Sequence, residues 1–81
     1  MIVRCRLFAA ARDLAGRSQV ELALDEPATI GGLRKQLAAA FPALAPLVPH
    51  LMFAIDADYV TDRTPIPPDA EIAGIPPVSG G

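Results

Sequence analysis

Ile2-Val3-Arg4-Cys5-Arg6-Leu7-Phe8 alternates strictly, with Val3, Cys5 and Leu7 on one side and Arg4 and Arg6 on the other. A period of two marks a strand buried on one face. Phe8 falls on the outer, arginine side. Ala9 to Leu14 is then short and rich in helix formers, and Gly16 is placed to end that helix in the left-handed conformation that glycine adopts cheaply. A second alternating run follows, with Val20, Leu22 and Leu24 inward and Glu21 and Ala23 outward. It lies close enough in sequence to pair with the first, so the two runs open a sheet.

Asp25-Glu26-Pro27 breaks the alternation, Thr29 caps a helix, and Ile30, Leu33, Leu37 and Phe41 recur at helical spacing until Pro42 stops it. Gly31-Gly32 in the first turn costs up to ~1 kcal/mol per residue against Ala, so that turn is either frayed or packed closely on the sheet. Between residues 42 and 49, prolines space out Leu44, Leu47 and Val48. This reads as an irregular connection pinned by apolar side chains, not a flexible linker. Leu51, Phe53 and Ile55 alternate as a third strand, Asp56-Ala57-Asp58 has turn chemistry, and Tyr59-Val60 returns as a short fourth. Residues 61–69 read as a surface loop, and residues 71–75 as the last strand, with Ile72 inward and Ala73 and Ile75 on the other face. The pattern predicts one α+β domain over residues 1–75, a mixed sheet of four to five strands with a helix packed across one face. Residues 76–81 are left as an extended tail.

Composition narrows the function classes. A chain of 81 residues makes one domain, and at that size only about 60 to 65% of the unfolded surface can be buried. With three Phe, one Tyr and no Trp, the core must be built from Leu, Ile, Val and Ala. A net charge of −2 gives no electrostatic reason to bind nucleic acid or an anionic membrane. Cys5 alone cannot form an intrachain disulfide, and one cysteine with one histidine is too poor a set for a metal site. A reducing, cytoplasmic setting is expected. Arg4 and Arg6 interrupt any leader-like apolar run, and no segment approaches the ~20 apolar residues of a membrane span.

Candidates for chemistry are few. His50 sits in the connecting segment with no nucleophile paired to it, and Cys5 alternates inward as a small apolar residue. Asp56, Asp58, Asp62, Asp69 and Glu71 crowd the second half, but they fall at turns and lack the register of a calcium loop. They read as turn formers that a basic partner could recognise. Gly31-Gly32 at a helix start could cradle a phosphate. However, no Lys-Ser or Lys-Thr follows, and Arg34-Lys35 read as ordinary helix-surface residues.

The carboxyl end differs. Pro76-Pro77 stops the last strand, and Val78-Ser79-Gly80-Gly81 projects beyond it with no internal reason to pack. Two residues without a Cβ let the backbone thread a narrow tunnel and bring an unhindered carboxylate to a reagent in another protein. Such a carboxylate can be activated as an acyl-adenylate, which a sulfur nucleophile can open to a thiocarboxylate. The catalysts for those steps must be partners.

Leu7-Phe8-Ala9-Ala10-Ala11-Arg12-Asp13-Leu14-Ala15-Gly16 resembles the first strand, first helix and glycine of the MoaD/ThiS family, whose MoaD branch is the small subunit of molybdopterin synthase. Ala54-Ile55-Asp56-Ala57-Asp58-Tyr59-Val60 looks like its strand-turn-strand. Asp69-Ala70-Glu71-Ile72-Ala73 with Pro76-Pro77-Val78-Ser79-Gly80-Gly81 looks like its closing signature. The terminal Pro-Pro-Val-Ser-Gly-Gly is the specific part. The resemblance implies a β-grasp, ubiquitin-like fold whose Gly81 is adenylated by a ubiquitin-activating-enzyme-like partner and thiocarboxylated. It implies ATP used by that partner, with no cofactor on this chain, and a persulfide-type sulfur donor protein. Pro76, Pro77, Val78, Ser79 and Gly80 would enter a MoaE-like large subunit, in a heterotetramer, where sulfur passes to a cyclic pyranopterin on the way to molybdopterin.

Two departures stand out: Asp56 where the family often has Asn, and Gly74-Ile75 where bulkier residues are usual. With Phe8 and Ile75 both predicted outward, they form a partner-docking patch anchored on Phe8, unless the first helix folds Phe8 into the core. Carriers for thiamine or tRNA thiolation share the fold and the Gly-Gly end. An inert β-grasp interaction module and an autonomous enzyme are the remaining readings.

Overall fold

A computed structural model describes residues 1–77. The chain runs β1 (Ile2–Leu7), α1 (Ala9–Ala15), β2 (Gln19–Ala23), α2 (Ile30–Ala40), β3 (Met52–Ile55), β4 (Asp58–Val60) and β5 (Ile72–Ile75), with short 3-10 turns at Pro42–Leu44 and Val48–His50. The five strands form one mixed sheet in the order β2-β1-β5-β3-β4. The first and last strands are central and parallel, and every other pairing is antiparallel. This is the α+β, β-grasp arrangement expected, and the strand alternation holds residue for residue in β1 and β2.

One face of the sheet is covered and the other open. Val3, Cys5, Leu7, Val20, Leu22, Phe53 and Ile72 point under α2, which supplies Ile30, Leu33 and Leu37, each with no exposed surface. Thr29 caps α2 as expected, its Oγ1 accepting from the Gly32 N–H at 3.2 Å. Gly16 ends α1 at φ 74°. Asp56 (φ 48°) and Ala57 (φ 73°) form a two-residue turn between Ile55 and Asp58, both in the left-handed region that suits the twist of a tight hairpin.

Three expectations are corrected. The connection expected to be irregular holds two 3-10 turns, at Pro42–Leu44 and Val48–His50, because proline is tolerated in a first helical turn, while the burial of Leu44 and Val48 bears out its apolar pinning. The loop of residues 61–69 is not wholly superficial: Ile66 is buried, and its N–H donates to the Ala28 carbonyl at 2.9 Å. Gly31 packs against that loop rather than the sheet, and Gly32 meets only the Thr29 cap; a Cβ on Gly31 would lie 3.2 Å from the Asp62 carbonyl oxygen.

Arg34 is the largest correction. It is no ordinary surface residue: its Nη1 donates to the carbonyls of Val48 (2.6 Å) and Leu51 (2.9 Å), and its Nε and Nη2 donate to Asp62 Oδ1. The guanidinium also lies 5.0 Å from the Phe53 ring centroid. One side chain thus ties α2 to the second 3-10 turn and to the loop before β5.

Candidate functional site

The register across the open face brings four side chains into one row. Arg6 on β1 pairs with Ala73 on β5, Ala73 with Ala54 on β3, and Ala54 with Tyr59 on β4. The two central alanines are short, so a hollow of about 250 Å³ forms between Arg6 and Tyr59. Phe8 and Ile75 line it as well.

Phe8 sits where β1 ends and α1 begins. Its backbone is extended (φ −122°), and its N–H donates to the Gly74 carbonyl at 3.3 Å, prolonging the parallel ladder by one residue. The ring is 42% exposed, so α1 does not fold it into the core. Ile75 is half-buried beside it, and Met52, the register partner of Ile75, is exposed, as is Tyr59. The two predicted docking residues therefore come together, and Tyr59 and Met52 join them. Neither of those two was foreseen. Their position depends on the tight Asp56-Ala57 turn, which fixes the register that sets Tyr59 opposite Ala54.

Gly74 faces the opposite way, into the core. A Cβ there would lie 3.3 Å from Phe53 Cε1, 3.4 Å from Leu7 Cδ2 and 3.5 Å from Cys5 Sγ. The Phe53 ring, directly across the ladder, fills the space a larger residue at position 74 would take.

The other candidates have structural partners. Cys5 is fully buried, and burial pushes its thiol up from an ordinary 9.0 to about 12, against a smaller lowering by a backbone hydrogen bond with Gly74. Such a thiol stays protonated and unreactive. His50 is exposed at the end of its 3-10 turn. Asp56 Oδ1 accepts from the Glu71 N–H at 3.2 Å, and Asp56 N–H donates to the Glu71 carbonyl at 2.9 Å, closing the hairpin onto the start of β5. At the α2 start the N–H groups of Ile30, Gly31, Gly32 and Leu33 are taken by Thr64, Asp62 and Thr29, which leaves none of the four for a phosphate and agrees with the rejection of that reading from the sequence.

The ThiS family model matches residues 5–81. This chain belongs to the ThiS family. Among its relatives, the molybdopterin synthase sulfur carrier subunit of Chlamydomonas reinhardtii is 34% identical over 83 residues, with the whole of both chains covered. Crystalline SAMP1 from Haloferax volcanii superposes with a TM-score of 0.86 at 27% identity, again over 100% of each chain. The complex of subunits 1 and 2 of molybdopterin-converting factor from Helicobacter pylori 26695 contains a chain of the same fold, with a TM-score of 0.70 and 20% identity over the full length of both.

In this ThiS-family chain the closing signature divides. Pro76 is buried and Pro77 exposed. Pro76 thus belongs to the folded body rather than to an extended segment; its ring is apolar and it has no N–H to leave unsatisfied. Val78, Ser79, Gly80 and Gly81 lie outside the described residues. What the family member presents in the described part is an open sheet face, with an apolar cluster of Phe8, Ile75, Met52 and Tyr59 near the end of the strand that leads to that signature. Such a surface can dock a partner and aim the segment that follows.

Proposed function

We propose that this chain is the sulfur carrier of a molybdopterin synthase. The observation that carries the proposal is the end-to-end match to the Chlamydomonas sulfur carrier subunit. In this reading the Gly81 carboxylate attacks the α-phosphate of ATP in an activating enzyme and releases pyrophosphate. The terminal sulfur of a persulfide on the donor protein then displaces AMP to give an acyl disulfide, and a second thiol of the partner proteins attacks the donor's sulfur, releasing the thiocarboxylate and leaving a disulfide on the partners. Residues 77–81 enter a MoaE-like large subunit, where the sulfur passes to a cyclic pyranopterin precursor. The H. pylori pair of subunits supports a two-subunit assembly by its shared fold, and the Phe8 and Ile75 face is where the large subunit docks.

The carrier itself binds no cofactor and works in the cytoplasm, beside its activating enzyme. Among the described residues no helix is long and apolar enough to cross a membrane. Pull-down from a native source tests the pathway. Recovery of a MoaE-like subunit is expected, and recovery of a thiazole synthase instead would redirect the sulfur to thiamine.

A further inference from the structure

β1 joins β5 only from Cys5 onward, which pairs with Ile72. Toward the amino end of β1 the segment before β5 turns away, with Asp69 at φ 60° and the Ala70 N–H donating back to the Pro67 carbonyl at 3.3 Å. A groove of about 460 Å³ opens in the split. Val3, Ile66 and Ile72 form its floor, and Arg6, Asp69 and Glu71 its rim.

The direction of the backbone groups in this groove follows from the β2 side. Met1 and Leu24 exchange both bonds, at 3.1 and 2.8 Å. In an antiparallel pair such exchanges recur at every second residue, so the odd residues of β1 turn their N–H and C=O toward β2 and the even ones turn away. The Phe8 N–H reaching Gly74 on β5 obeys that alternation. The N–H and C=O of Ile2 and the N–H of Arg4 therefore face the groove. Among the described residues, none of the hydrogen bonds outside the ladder reaches them. They form a short open strand edge inside a concavity.

We propose that this groove binds one extended segment of a partner protein by strand addition. Two N–H groups on alternate residues, about 6.8 Å apart, match the repeat of an extended main chain. The rim charges specify side chains. Among the described residues, Arg6 has no carboxylate within 4.0 Å, and Asp69 and Glu71 have no cation that close. A segment reading acidic, apolar, basic sets its outer residues against Arg6 and Glu71 and its middle residue on the apolar floor. The groove shares Arg6, Glu71 and Ile72 with the hollow beside Phe8, but Ile2, Val3, Ile66 and Asp69 line the groove alone, and the proposal does not rest on the carrier reading.

The test is an amide NMR titration of the full ¹⁵N-labelled chain with a capped Thr-Glu-Val-Lys-Thr peptide. Saturable shifts are expected at Ile2, Arg4 and the segment before β5. Ile2→Pro removes one N–H at an edge position that tolerates proline, and should weaken binding about tenfold, while Ile2→Ala stays within about twofold. Arg6→Ala should lower the affinity and flatten its salt dependence. Absence of saturable shifts, shifts only at Phe8, Tyr59 and Ile75, or undiminished binding by folded Ile2→Pro would overturn the proposal. If Ile2→Pro loses its dispersed spectrum, Arg6→Ala decides, and unchanged affinity and salt response would overturn it equally.

Discussion

At the scale of single residues, Arg34 is the clearest case of one side chain with several structural roles. Its two carbonyl acceptors belong to the connection between α2 and β3, and its carboxylate partner to the loop before β5. Charge-assisted bonds to half-buried carbonyls are worth more than the Asp62 pair, whose carboxylate side is more than half exposed. Arg34→Ala should therefore cost about 2–4 kcal/mol in chemical denaturation, and Asp62→Ala under about 1 kcal/mol. Equal losses would show that the ion pair, not the carbonyls, holds the connection.

Gly74 and Phe53 form a second residue-scale pair. Gly74→Val should overpack the core by about 1–3 kcal/mol, and a Phe53→Ala background should recover part of that loss. Strict additivity in the double-mutant cycle would refute the account of why glycine stands at position 74. Cys5 supplies a pH test. Its thiol is raised from 9.0 to about 12 in the fold, so the folded state holds a proton that the unfolded chain releases. Its contribution is constant below about pH 9 and is lost as the pH rises toward 12. Cys5→Ala should flatten stability against pH in that alkaline window.

At the scale of elements, the hairpin turn is locally unfavourable. Ala57 adopts φ 73°, where a Cβ costs roughly 1–2 kcal/mol and glycine costs little. Ala57→Gly should raise stability by about 1 kcal/mol, read as a higher melting temperature. An unchanged or lower value would mean that the turn is not strained.

Much of this level was legible in the sequence. Period-two alternation fixed the faces of β1 and β2, and the spacing of Ile30, Leu33 and Leu37 fixed the buried stripe of α2, because those patterns are set by local backbone geometry. The docking row was only half legible. Phe8 and Ile75 lie on the outward side of their own strands, whereas Met52 and Tyr59 join them through cross-strand register. The role of Arg34 depends on loops that meet only after folding. The burial of Ile66 was hidden for the same reason, since three nearby prolines give a loop signal whether or not one side chain dives inward.

At the scale of the whole molecule, one face of the sheet is used by the core and the other is left open. If, as proposed, a MoaE-like subunit docks on that face with Phe8 as its anchor, Phe8→Ser should leave the fold intact and weaken the association by about 2 kcal/mol, or roughly thirtyfold. Calorimetry against that subunit reads it directly, and undiminished affinity would move the docking site elsewhere.

Intact-mass spectrometry tests the chemistry at Gly81 most directly. The chain is incubated with a competent activating enzyme, ATP and a sulfur donor, beside a carrier already known to be converted by the same mixture. One oxygen should be replaced by one sulfur, mapped by fragmentation to the carboxyl group of Gly81. An unchanged mass while the control carrier is converted would contradict that chemistry.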